Sequence, residues 1–159
     1  MIDIGAGAGV LVAALAARGL TDLAALDLSE TALAQARARL AGGPEVDWIV
    51  ADVLGWRPAR RYDIWHDRAA FHFLTDPADR QAYRATLAAA LAPGGHAVLG
   101  TFAPDGPERC SGLPVVRYDA DSLAAELGPG FRLIAAARDD HRTPAGALQR
   151  FQFGLFRKL

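Results

Sequence analysis

The feature that most limits what this chain can become lies at its start. Asp3-Ile4-Gly5-Ala6-Gly7-Ala8-Gly9 follows a short apolar β-type stub, Met1–Ile4, and runs straight into an apolar segment from Val10. Glycine at every second position opens backbone conformations closed to other residues and lets the main chain approach a ligand or a neighbouring element. The segment from Val10 to Arg18, ended by Gly19, predicts a helix. The order is therefore strand, glycine loop and helix, an arrangement that offers backbone N–H groups to a polar ligand. Taken alone, the loop fits a tight strand-to-helix turn equally well.

The alternation continues downstream. Leu23–Leu28 reads as a second buried strand, and Ser29 caps a helix over Thr31–Leu40 that Gly42-Gly43-Pro44 closes. Val46–Ala51 is a third strand ending at Asp52, and Tyr62–His66 a fourth. A helix over Pro77–Leu91 is stopped by Pro93-Gly94-Gly95, and His96–Phe102 has the unbroken apolar character of a central strand. A loop rich in Pro and Gly spans Ala103–Pro114, and Asp121–Leu127 is helical. Phe131–Ala137 and Gln149–Phe156 close the chain as an antiparallel pair. The pattern predicts an α/β fold, a Rossmann-like three-layer α/β/α sandwich with a mostly parallel sheet and an antiparallel closing strand. No repeat or linker divides it, so residues 1–159 read as one domain.

Composition narrows the function classes. Seventeen Lys and Arg stand against 18 Asp and Glu, interspersed, so no basic stripe exists to neutralise a row of phosphates, and nucleic acid is not an expected partner. Cys110 is the single cysteine, which excludes an internal disulfide framework and a Cys-based metal cluster. The four histidines lack His-x-x-x-His or His-x-His spacing, and no metal site is expected. No apolar run approaches the roughly 20 residues of a membrane span, and no signal peptide is recognisable, so a cytoplasmic setting is expected. Cys110-Ser111 reads as an incidental thiol in a loop, His72 and His96 as packing or surface residues, and Trp48, Trp56 and Trp65 as core or pocket walls.

In an open parallel sheet, ligands sit beyond the carboxyl ends of the strands. The glycine spacing does not match the G-x-G-x-x-G of dinucleotide sites, because Val10 follows Gly9, which argues against NAD or FAD. It resembles instead the D-x-G-x-G-x-G motif of class I S-adenosylmethionine-dependent methyltransferases. That resemblance implies S-adenosylmethionine as cofactor and S-adenosylhomocysteine as product, with Asp3, Gly5, Ala6, Gly7 and Gly9 forming the cofactor loop. Asp27, at the end of the second strand, becomes the acid that accepts both ribose hydroxyls, and Leu28 packs on the adenine. Asp52 and the amide of Val53 lie near the adenine edge. His66 touches the methionine part, and His66, Asp67 and Arg68 face the acceptor, with Arg68 steadying an anionic nucleophile while Asp67 or His66 takes a proton.

A narrower resemblance rests on Trp65-His66-Asp67-Arg68, Asp79-Arg80, Tyr83 and Gly112-Leu113-Pro114, which are similar to the thiopurine and related small-molecule S-methyltransferases. It implies a small-molecule acceptor, a thiol or another nucleophile. The family usually carries a helical segment before its first strand, and this sequence starts inside that strand. Weak binding, a missing lid or a lid borrowed from a second copy in a homodimer is the expectation that follows. The rival reading is a non-catalytic cofactor-binding or interaction module with the same fold, and a nicotinamide-dependent reductase is the more distant one.

Overall fold

The computed structural model describes residues 1–159. Five strands, β1 (Ile2–Ile4), β2 (Leu23–Asp27), β3 (Val46–Val50), β4 (Tyr62–Arg68) and β5 (Leu91–Phe102), run parallel. A small hairpin, β6 (Arg109–Cys110) and β7 (Leu113–Pro114), stands apart, and β8 (Phe131–Arg142) and β9 (Leu148–Lys158) complete the main sheet in the order β3-β2-β1-β4-β5-β9-β8. β9 is antiparallel to both β5 and β8, and it is the one strand that reverses direction. The helices are α1 (Val10–Ala16), α2 (Glu30–Arg39), α3 (Pro77–Ala90) and α4 (Ala120–Leu127), with a single 3-10 turn at Phe71–Phe73.

Local chemistry explains the helix starts. The Ser29 hydroxyl accepts from the Ala32 amide at 3.1 Å, Asp76 accepts from Ala78 at 2.8 Å with Pro77 in the first turn, and Asp119 and Ser122 form a reciprocal capping box. Because strand side chains alternate, the two sheet faces take different partners. Leu23 and Ala25 of β2 pack with Val12 of α1 and Leu33 of α2. Ala24 and Leu26 face the other way and join Trp65, Ala97, Leu99 and Phe156 under Tyr83 and Leu87 of α3 and Leu123 and Leu127 of α4. The second cluster is the larger, and truncating a fully buried leucine in it, such as Leu87, costs about 3 kcal/mol. On the α1/α2 side, helical cover stops near β1. The same face of β4, β5, β9 and β8 carries no helix, and Ile64 there is 41% exposed.

Three departures from the sequence reading have physical causes. α3 ends at Ala90, and Leu91 is already extended, because Ala92 precedes a proline and is driven out of the helical region. Leu91 pairs Tyr62 and His96 pairs Ile64, so Pro93-Gly94-Gly95 bulge within β5 rather than preceding it. β8 and β9 extend to Arg142 and back from Leu148, beyond the apolar stretches that marked them. The charged run Arg138–Arg142 is strand because β9 satisfies its backbone while its side chains reach solvent. Finally, part of the expected loop is the β6–β7 hairpin, whose two turn residues, Ser111 (φ 50°) and Gly112 (φ 81°), both adopt positive φ as a tight two-residue connection requires.

Candidate functional site at the carboxyl ends of the strands

The glycine loop is shaped by two close approaches and one opening. Gly5, Gly7 and Gly9 have φ of 64°, 53° and 68°, values that favour glycine. A Cβ on Gly9 would lie 2.5 Å from the Cβ of Ala36, and one on Gly5 would lie 2.9 Å from the Cβ of Ala70. These two glycines therefore seat the loop against α2 and against the turn after β4. At Gly7 a Cβ would meet only a carbonyl oxygen at 3.9 Å, so that is where the loop is open to a ligand. Ala6 donates to Leu26 and packs toward the small core cluster, which ties the loop to β2.

Asp27 closes this assembly. Its Oδ2 accepts from the Gly7 amide and its Oδ1 from the Ser29 amide, each at 2.8 Å. The carboxylate thus fixes the glycine loop and the start of α2 at once. Each oxygen keeps a further lone pair, so Asp27 can still accept hydroxyl donors. Around it stand three exposed apolar side chains, Val10 (69%), Leu28 (72%) and Val50 (53%), at adjoining strand and helix ends. Asp52 is exposed, and its Oδ1 is engaged by the Leu54 amide at 2.9 Å in a local turn. The Val53 amide makes no hydrogen bond in the protein and is left to serve an external acceptor.

Between β1 and β4 the register sets Asp3 beside His66. Asp3 is nearly buried, and its Oδ1 lies 2.7 Å from Nδ1 of His66, whose ring is one-fifth exposed. A carboxylate at Nδ1 favours the proton on that nitrogen, leaving Nε2, which has no protein partner and is open to solvent, as an acceptor.

Asp67 departs from the sequence reading. It is fully buried on the opposite face, where its carboxylate accepts from Tyr83 Oη at 2.6 Å and from the amides of Ala70 and Phe71, while Trp65 Nε1 donates to Tyr83 at 2.9 Å. Burial raises its pKa to about 6 against the pull of these hydrogen bonds, and Tyr83 is pushed well above its ordinary value by the same burial. With no exposed surface, Asp67 holds the chain turn at Ala69, whose φ is 66°, rather than facing the cleft. Arg80 donates to the carbonyls of Leu74 and Thr75 and pairs with Glu126 of α4. Trp65, Asp67, Arg80 and Tyr83, the residues that suggested a small-molecule pocket, form an internal brace.

Arg68, one residue on, projects from the opposite face and is exposed. Its guanidinium lies 4.6 Å from the centroid of Phe151. His72 is buried among Phe73 and Phe102, accepts weakly from the Phe102 amide at 3.3 Å, and is held by burial at a pKa of about 4, which agrees with a packing role. Trp65 is core, and Trp48 and Trp56 line the edges of the two clusters. The structure thus gathers Asp3, Gly5, Ala6, Gly7, Gly9, Asp27, Leu28, Asp52, Val53, His66 and Arg68 along one rim of the sheet and removes Asp67 from it. Sequence reasoning missed the Asp3–His66 pair and Phe151, because both follow from strand order and register. A concavity of about 740 Å³ opens elsewhere, at the amino ends of β2 and β3 between Asp22, Arg37, Trp48 and Arg60.

Residues 1–95 match the protein family described as methyltransferase domain. Nodulation protein S of Sinorhizobium fredii is 29% identical over 100 residues, which are 63% of this chain and 46% of that protein. The chain therefore spans about half the length of the curated relative it matches. Among solved structures, the N-methyltransferase NodS from Bradyrhizobium japonicum in complex with S-adenosyl-L-homocysteine superposes with a TM-score of 0.80 at 20% identity, over 99% of this chain and 76% of that one. The 1,6-didemethyltoxoflavin-N1-methyltransferase of Burkholderia thailandensis, with bound 1,6-didemethyltoxoflavin and S-adenosylhomocysteine, gives a TM-score of 0.79 at 26% identity over 99% of this chain and 69% of that one.

Proposed function

The chain belongs to the methyltransferase domain family, and from that membership we propose that it binds S-adenosylmethionine along this rim and passes the methyl group to a small-molecule nucleophile. The observation that carries the reading is the Asp27 clamp: a carboxylate at the end of β2 with acceptor capacity left over, set between an open Gly7 and an exposed Leu28. A ligand that joins a hydroxyl-rich sugar to an apolar ring fits those neighbours. The free Val53 amide supplies a donor to the ring edge, and Leu28 and Val50 supply apolar walls.

When bound, S-adenosylmethionine supplies a methyl group on a positively charged sulfonium, already activated for displacement. The protein's part is then to position and to manage a proton. Gly7 leaves room for close approach, and Asp27 orients the sugar through charge-assisted hydrogen bonds. Asp3 holds His66 with Nε2 free, so His66 is the group on this face able to receive a proton from the acceptor. Arg68 faces the acceptor side, and Asp67 acts as a positioning residue by fixing the turn that follows it. Two of the similar structures are N-methyltransferases by name, which supports a nitrogen nucleophile; no observation on this chain supports a thiol.

A calorimetric titration of the full chain with S-adenosylhomocysteine, with NADH as control, tests this. Saturable binding of S-adenosylhomocysteine alone is the expected result. Binding of NADH alone, or of neither, contradicts the proposal, and binding without methyl transfer to any amine, hydroxyl or thiol acceptor identifies a non-catalytic module.

A further inference from the structure

The helix-free face of the sheet carries three arginines with no acid beside them: Arg132 and Arg157 in the row of Ile64 and His96, and Arg68 at the carboxyl end of β4, the one that lies over an aromatic ring. Arg60, Arg80, Arg117, Arg138 and Arg150 each pair with an acid, whereas Arg68 has no carboxylate within 4 Å and makes no hydrogen bond. It is nonetheless held. Its guanidinium stacks over Phe151, which is 2% exposed and is itself fixed between Phe102 at 5.0 Å and Phe153 at 5.8 Å. The contact leaves the guanidinium N–H groups without an acceptor, and a planar fork of donors matches the two oxygens of a carboxylate.

The floor beside it is apolar and shallow for a reason visible in the register. Arg68 pairs Gly100, Gly100 pairs Phe153, and Phe153 pairs Ala137, so the four lie in one row across the sheet. A Cβ on Gly100 would fall 2.4 Å from the Phe153 ring, so glycine there lets the ring lie across β5 toward β4. The acid in the next row, Asp139, stands opposite Phe151 on β8, three strands from β4, and does not pair with Arg68. His66, with its free Nε2, is two residues before Arg68 on the same face.

We propose that Arg68 is the anion anchor of the acceptor site, and that the acceptor is a small aromatic acid whose carboxylate meets the guanidinium edge while its ring rests on Phe153. This rests on the methyl-transfer reading for the word acceptor, but the binding claim stands separately. The cation seated over Phe151 and the aromatic floor beside it complement an anionic planar molecule and disfavour an uncharged isostere, because a neutral amide forfeits the charge-assisted pair.

The test uses the full chain, benzoate and benzamide as probes, and residue-resolved NMR. Benzoate is expected to bind in the millimolar range, shifting Arg68 and Phe153, and to bind about tenfold more tightly than benzamide. Arg68→Met is expected to abolish that preference and Arg68→Lys to keep part of it. Equal binding of the two probes, a preference that survives Arg68→Met, shifts confined to another region, or no shift at high millimolar benzoate overturns the proposal. So do Phe153 signals that change with protein concentration and ignore benzoate, because a second copy then covers the face. If wild type shows the benzoate preference but does not bind S-adenosylhomocysteine, the anion site holds and the proposed function falls.

Discussion

Asp27 and Asp67 stand at or next to the carboxyl ends of β2 and β4, the two strands that flank β1, and they do opposite things. Asp27 is half-buried, takes one backbone amide on each oxygen and keeps capacity for more. Asp67 has no exposure, is saturated by a tyrosine and two amides, and has its pKa raised to about 6 by burial. Position at a strand's carboxyl end is therefore not enough to make a carboxylate part of a site; the face it takes decides. On β4 the apolar pattern misleads, because Ile64 lies on the open face and Asp67 on the closed one. The open carboxylate keeps acceptor capacity toward solvent, and the closed one serves the shape of the rim.

The largest effect that separates the two is expected from Asp67→Ala. It strands the Tyr83 hydroxyl and two amides in the core, costing about 3 kcal/mol and lowering Tm by about 10 °C, while the affinity for S-adenosylhomocysteine in the folded fraction is retained. Thermal unfolding followed by calorimetric titration checks both halves, and a stable Asp67→Ala protein that no longer binds would reverse the assignment. Asp27→Ala is expected to do the converse, weakening S-adenosylhomocysteine about 30-fold, or about 2 kcal/mol, with a smaller change in Tm.

A finer contrast is in pH. Because the folded pKa of Asp67 is raised to about 6, its contribution favours folding at pH 4 and is lost as pH rises to 6. His72, held at about 4, has the opposite sign: its contribution is present above the unfolded value near 6.5 and is lost as pH falls toward 4. Denaturant unfolding across pH 4–6.5 should show wild type losing stability relative to Asp67→Asn as pH rises, and losing it relative to His72→Phe as pH falls. Parallel curves would remove the buried titrations from the account. The smallest effect is Leu28→Ser, expected to leave Tm unchanged and, on the proposal that Leu28 packs on the adenine, to weaken S-adenosylhomocysteine about fivefold, near 1 kcal/mol.

Much of the fold was legible because its signals are local. The glycine loop, the Ser29 cap and the alternation of apolar runs with capped helical stretches each depend on residues close in sequence, and they specify a mostly parallel sheet with an antiparallel strand at one side. Asp27 was legible for the same reason, lying between an apolar strand and a helix cap. What was not legible depends on strand order. The Asp3–His66 pair needs β1 beside β4, and Arg68 over Phe151 needs β9 inserted between β5 and β8. The motif Trp65-His66-Asp67-Arg68 was read as a unit, but strand alternation sends Trp65 and Asp67 to Tyr83 and leaves His66 and Arg68 on the open side.

The most direct test of the central claim is a residue-resolved amide shift map of the full chain titrated with S-adenosylhomocysteine. Saturable shifts should concentrate at Gly7, Leu28 and Val53, with Phe71 and Tyr83 unmoved. Shifts centred on Thr21, Arg37 and Trp48, around the concavity at the other end of the sheet, or the absence of saturable shifts, would contradict it.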